Sequence, residues 1–154
     1  MKTVVITGST RGIGFALSRE FLKRDCQVVI SSRNHQAVVD AVNTLALEFS
    51  KTQIAGFTCD VTNIEQVRKL WLQSKNQFST VDIWINNAGI SNEQAPAWEI
   101  PDLELKSVIE TNILGELYGT KVAMNGFLEQ GYGALYNMEG LGADGKTHHV
   151  KGLS

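Results

Sequence analysis

Close to the start of the chain a β-branched run, Thr3-Val4-Val5-Ile6-Thr7, passes directly into Gly8-Ser9-Thr10-Arg11-Gly12-Ile13-Gly14. A helical pattern follows to about Arg24, with Ile13, Leu17 and Phe21 at helical spacing. A run that is apolar throughout, rather than alternating, suits a parallel strand buried on both faces. The glycines constrain what comes next. Gly8 permits a tight turn, Gly12 lets backbone approach a diphosphate, and Gly14 lets the helix pack against the strand. The free N–H groups at the positive end of the helix then face an anion. Turns need glycine for their own reasons, so a purely structural turn is the alternative; strand before and helix after is the context that favours phosphate.

The same alternation runs on. Gln27-Val28-Val29-Ile30-Ser31 reads as a second strand, and Asn34 as the N-cap of a helix to about Ser50 carrying Val38, Val42, Leu45 and Phe49. Ile54 to Thr58 is a third strand. Thr62-Asn63-Ile64-Glu65 has the form of a capping box opening a helix with Val67, Leu70 and Trp71. Val81 to Ile85, a loop through Pro96 and Pro101, a long helix from Asp102 to Glu129, and a strand from Tyr132 to Met138 complete the series. Short connections and right-handed crossovers then predict an α/β doubly wound parallel sheet ordered 3-2-1-4-5, with residues 1–154 as one dinucleotide-binding domain.

Composition excludes several function classes. A net charge of -2 leaves no electrostatic footprint for nucleic acid. No apolar run approaches the roughly 18 residues of a membrane span. Cys26 and Cys59 lack metal-ligand spacing and read as small buried hydrophobes in a reducing compartment. With a strand beginning almost at Met1, a cytoplasmic protein is expected.

In a dinucleotide fold, the end of the second strand selects the cofactor. An acid there binds a ribose 2′-hydroxyl, and an Arg accommodates a 2′-phosphate. The stretch Ser31-Ser32-Arg33-Asn34 contains no acid, and Arg11 in the glycine turn offers a second cation. A guanidinium fork makes paired, charge-assisted bonds to phosphate, so Ser32, Arg33 and Arg11 predict NADP(H). Solvated surface arginines are the alternative.

The spacing Thr7-Gly8-x-x-x-Gly12-x-Gly14 resembles the short-chain dehydrogenase/reductase pattern T-G-x-x-x-G-x-G. Asn86-Asn87-Ala88-Gly89 resembles that family's N-N-A-G, Asp60-Val61 follows the third strand, and Asn112 lies within the fourth helical region. The resemblance implies an NADP-linked oxidoreductase acting on a small carbonyl or alcohol substrate. It implies further that Asp60 contacts adenine with Val61 packed nearby, that Asn87, Ala88 and Gly89 line the cofactor's ribose side, and that Asn112 belongs to the catalytic set by helping to hold a proton-relay water. The alternative for Asp60 is help in starting the next helix, which is compatible with adenine contact; the alternative for Asn112 is a partly solvated helical Asn.

The pattern is incomplete. The family's Y-x-x-x-K, which protonates the substrate oxygen and holds the ribose, is missing: none of the three tyrosines, Tyr118, Tyr132 and Tyr136, has a lysine four residues on. The resemblance therefore implies that the Tyr and Lys follow Ser154 and that the chain is an N-terminal fragment. Asn137-Met138-Glu139-Gly140 stands where the family commonly has N-I-S-S and resembles its chlorophyll b reductase branch, which would make the substrate a flat, formyl-bearing tetrapyrrole faced by Glu139. Glu139 as a solvated loop carboxylate is the alternative. Adjacent His148 and His149 diverge, so no metal site is expected. The long helix is apolar nearly all round, which predicts burial on two sides, one against the sheet and one in a homo-oligomer. A non-catalytic NADP(H)-binding module is the competing function; a methyltransferase would want an acid after the second strand.

Overall fold

The computed structural model describes residues 1–91 and 95–139. The predicted glycine-rich segment beyond Glu139, with Gly140, His148 and His149, lies outside them. Strands β1 (Thr3–Ile6), β2 (Gln27–Ser32), β3 (Ile54–Thr58), β4 (Ile83–Asn86) and β5 (Ala134–Asn137) form one parallel sheet, ordered β3-β2-β1-β4-β5 as predicted. The helices are α1 (Gly12–Leu22), α2 (His35–Leu45), α3 (Ile64–Phe78), α4 (Asp102–Ile109) and α5 (Gly115–Gln130).

The apolar strands work because both faces are covered. Val4, Ile6, Val28, Ile30 and Ile85 pack with Leu22 of α1 and Ala41 and Leu45 of α2. Val5, Val29 and Trp84 face the opposite way, onto Val67, Leu70 and Trp71 of α3 and Val122, Ala123 and Phe127 of α5. Each fully buried Val or Ile contributes about 1.5–3 kcal/mol. Trp71 is the centre of the second layer: its ring lies 6.0 Å from that of Trp84 and meets Phe127 edge-on at 5.4 Å.

Three differences from expectation bear on the packing. Helix α2 ends at Leu45, not near Ser50, because Leu47 and Glu48 donate back to Thr44 and Leu45 in tighter turns. Phe49 still packs on the core, so the apolar spacing outlasts the helix. The cap of α3 is Asn63, whose side chain accepts from the amides of Glu65 and Gln66; Thr62 instead spends its hydroxyl on Asp60. The predicted single helix from Asp102 to Glu129 is interrupted by a π turn at Glu110–Leu114. An added residue rotates everything beyond it by about 100°. The inward face of α5 is consequently Gly115, Gly119, Val122, Ala123, Gly126 and Phe127. Ile113, Leu117, Met124 and Leu128 are exposed in this chain.

Gly126 admits the Trp71 ring: a Cβ there would lie 1.9 Å from Trp71 Cζ2. In an open helix Gly→Ala stabilises by up to about 1 kcal/mol, but overpacking costs about 1–3 kcal/mol. Gly126→Ala should therefore lower the urea midpoint. An unchanged or raised midpoint would mean that Trp71 has room to move.

Candidate functional site

A cavity of about 330 Å³ opens beyond the carboxyl ends of β1 and β4. This is where the strand order reverses, the switch point at which open α/β sheets hold ligands. Gly8, Thr10, Arg11, Gly12, Ile13 and Gly14 form one wall. Ser32 and Arg33 arrive from the end of β2, Asp60 and Val61 from the end of β3, and Asn87, Ala88 and Gly89 from the end of β4. The fold thus brings to one hollow residues drawn from four separate strand ends.

The glycine turn is shaped by what lies against it. Gly8 has φ +63°, and a Cβ on it would sit 2.7 Å from Ala88 Cα. A Cβ on Gly14 would sit 2.4 Å from Asn87 Nδ2. The first residue of α1 is Gly12, and Arg11 at the cap position supplies no side-chain hydrogen bond. The opening amides of the helix are therefore left for an anion, with no acid in the first turn to oppose one.

Thr7 and Ser9, which the motif places among the cofactor-binding residues, support the turn from behind and are not among the residues that line the cavity. The buried Thr7 hydroxyl accepts the N–H groups of Asn87 and Ala88, both at 3.0 Å, while Asn87 Nδ2 donates to the carbonyls of Thr7 and Gly8 at 2.9 and 3.1 Å. Ser9 donates its hydroxyl to the Ile6 carbonyl at 2.7 Å and its amide to the Ser31 carbonyl at 2.9 Å. It also accepts from the Ser31 amide at 2.9 Å, so it has no donor left for a ligand.

Asp60 has one role fixed by geometry and a second position open to a ligand. Its Oδ1 accepts the amide and hydroxyl of Thr62 at the approach to α3, and the residue also lines the cavity. Arg11 and Arg33 are exposed, and neither is in an ion pair among the described residues.

Asn112 lies in the π turn and does not line the cavity itself. Its Oδ1 accepts the Ile90 amide at 2.9 Å and its Nδ2 donates to the Ile90 carbonyl at 2.8 Å. That two-point clamp fixes the segment leaving β4, so most of the side chain's hydrogen-bonding capacity is committed to backbone. Ile90, Thr111 and Cys59 line the cavity without having been singled out. Each is a sequence neighbour of a predicted residue, which is the only signal that pointed to them. Glu139 is exposed just past β5, after Met138, whose amide donates to the Asn86 carbonyl at 2.9 Å.

With this geometry in place, the comparisons with known proteins are decisive on family. The short chain dehydrogenase model matches residues 2–149. The chain belongs to the short chain dehydrogenase family. It is 44% identical over 146 residues to chlorophyll(ide) b reductase NOL, chloroplastic, of Arabidopsis thaliana, covering 93% of this chain and 41% of that protein. It is 37% identical over 162 residues to a probable chlorophyll(ide) b reductase NYC1, chloroplastic, of Oryza sativa subsp. japonica, covering 95% and 32% respectively. A solved structure of ElxO with NADP bound superposes with a TM-score of 0.87 at 30% identity, covering 97% of this chain and 59% of that one. The chain thus spans less than half the length of these plant relatives.

The plant relatives overturn the expected cytoplasmic location, since they are chloroplastic proteins. A targeting leader lies outside the folded domain and leaves no trace in its packing, so a strand near Met1 carries no information about compartment. Among the described residues no helix is long and apolar enough to cross a membrane.

Burial pushes the Cys59 thiol up to about 12, with the Asp60 carboxylate adding to the effect, and burial raises Cys26 as well. A thiol whose folded pKa exceeds its unfolded value stabilises fully below the unfolded value, and that stability is lost as pH rises through the folded one. Stability should therefore fall between about pH 9 and 12, and native Cys59 should resist alkylation at pH 8.5. Rapid native alkylation at that pH, or a flat profile to pH 12, would contradict the burial of this thiol.

Proposed function

We propose that residues 1–154 form the NADP(H)-binding unit of a longer carbonyl reductase that reduces the formyl group of a chlorophyll-type tetrapyrrole to an alcohol. The observation that carries this reading is the meeting, in one cavity, of the uncapped α1 N-terminus with two arginines that have no ion-pair partner among the described residues. The residues fit the cofactor. Gly12 has nothing within 4 Å of where a Cβ would stand, which leaves the backbone open to a ligand, and the opening amides of α1 take the diphosphate. Arg33 and Arg11, with Ser32 beside them and no acid at the end of β2, take the 2′-phosphate. Asp60 and Val61 bound the adenine, and Asn87, Ala88 and Gly89 the ribose side. When bound, the nicotinamide supplies hydride.

The chain's own part is to orient. Asn112 clamps Ile90 and so holds the segment that follows Gly89 against the cavity. The acid that protonates the substrate oxygen is assigned to the longer protein, because no tyrosine here has a lysine four residues on. The tetrapyrrole rests on the relatives' names together with Asn137-Met138-Glu139, and Glu139 is assigned to face it. The exposed stripe of Ile113, Leu117, Met124 and Leu128 is assigned to a second copy of the chain.

Two measurements test the reading. Arg33→Asp should weaken NADPH binding by roughly 1.5–3 kcal/mol, on the order of ten- to hundredfold, while NADH binding changes little; equal NADPH affinity in mutant and wild type would remove Arg33 as the phosphate anchor. The full-length protein with NADPH should convert chlorophyllide b to its alcohol. Tight NADPH binding without any turnover would favour a non-catalytic cofactor-binding subunit.

A further inference from the structure

A second hollow, about 320 Å³, lies between α1 and α2, lined by Thr10, Arg11 and Phe15 on one side and Ala37, Asp40, Ala41 and Thr44 on the other. Thr10 and Arg11 line both this cleft and the cofactor cavity. Arg11 thus stands on the partition between the two spaces. Among the described residues, Asp40 is the only other ionisable residue lining the second one.

Neither charge is neutralised where it stands. Arg11 is at the extended cap position of α1, exposed, and in no ion pair among the described residues. Asp40 is exposed on α2, and its Oδ1 accepts from the neutral amide of Gln36 at 2.9 Å. Its other neighbour in the cleft, Thr44, directs its hydroxyl to the Asp40 backbone carbonyl at 2.8 Å, so the carboxylate gains nothing from it. Arginine has a long rotatable stem, and here that stem starts from a partition with an acid on one side and the cofactor cavity on the other.

Building on the cofactor reading above, we propose that Asp40 is a specificity-determining residue, a counter-charge that competes with the cofactor's 2′-phosphate for the guanidinium of Arg11. The two charges line one cleft without forming an ion pair, so Asp40 acts on Arg11 as a screened attraction across it; with the phosphate bound, Arg11 turns into the cofactor cavity and Asp40 is left to water. The attraction to Asp40 is lost on each binding event, so it lowers affinity for NADPH and leaves NADH untouched. Both groups are solvated, which keeps the effect small and sensitive to salt.

The test is titration calorimetry of NADPH and NADH against the full-length protein carrying Asp40→Asn, alone and with Arg11→Gln. Asn keeps an oxygen for Gln36, and Asp40→Ser serves as a second neutral variant should the first fold poorly. At low salt Asp40→Asn should tighten NADPH about two- to fivefold, leave NADH unchanged, and lose the gain both at high salt and in the Arg11→Gln background. An unchanged NADPH-to-NADH ratio, or a gain that persists without Arg11, would overturn the proposal while leaving the cofactor reading intact. Wild-type protein that fails to bind NADPH would overturn both.

Discussion

The junction of Thr7 with Asn87 is the constraint on which the rest of the site depends. Thr7 follows the first strand and Asn87 follows the fourth, eighty residues later in sequence. Four hydrogen bonds join them and their neighbours: two amides onto the Thr7 hydroxyl, and the Asn87 amide group onto two carbonyls of the glycine turn. Thr7 is buried and its partners are part-buried, so a hydrogen bond left unmade here would cost up to about 1–3 kcal/mol. The turn is therefore held open in one shape, and Gly8 and Gly14 are small because Ala88 and Asn87 press against them.

The same logic extends outward through β4. Trp84, fully buried, donates its indole N–H to Asn86 Oδ1 at 2.8 Å, which fixes which end of that amide is the donor. Asn86 Nδ2 then reaches the Glu116 carbonyl, the Thr120 hydroxyl and Asn137 Oδ1, tying α5 and the end of β5 to the strand beside the cavity. One polar network thus aligns the sheet end from which the cofactor side and the β5 segment both emerge. Networks of this kind specify a single arrangement when every member is satisfied, and no buried side-chain polar atom among the described residues lacks a partner.

The sheet order was legible because continuous apolar runs such as Val4-Val5-Ile6 and Val28-Val29-Ile30 have no other comfortable use than strands covered twice. The cavity was legible for a related reason: a ligand at the switch point must be met by strand ends, and Gly8, Arg33, Asp60 and Asn87 all sit there. What a motif does not encode is which way a hydroxyl turns. Thr7 and Ser9 belong to the pattern, yet they serve the carbonyls and amides behind the turn rather than the space in front of it. The π turn was equally invisible, since Glu110–Leu114 reads as ordinary helix until the Asn112–Ile90 clamp is seen. That one added residue is why Val108 and Phe127 are buried while Ile113 and Leu117 are not. Compartment was never in the fold to be read.

The central claim is that the start of α1 holds a diphosphate while Arg33 recognises a phosphate on the adenosine ribose. The most direct measurement is a crystal structure of the full-length protein with NADPH. The account predicts diphosphate oxygens within hydrogen-bonding distance of the Ile13 and Gly14 amides, and the 2′-phosphate against the Arg33 guanidinium. A diphosphate bound away from those amides, or Arg33 turned to solvent with the 2′-phosphate held by other residues, would contradict it.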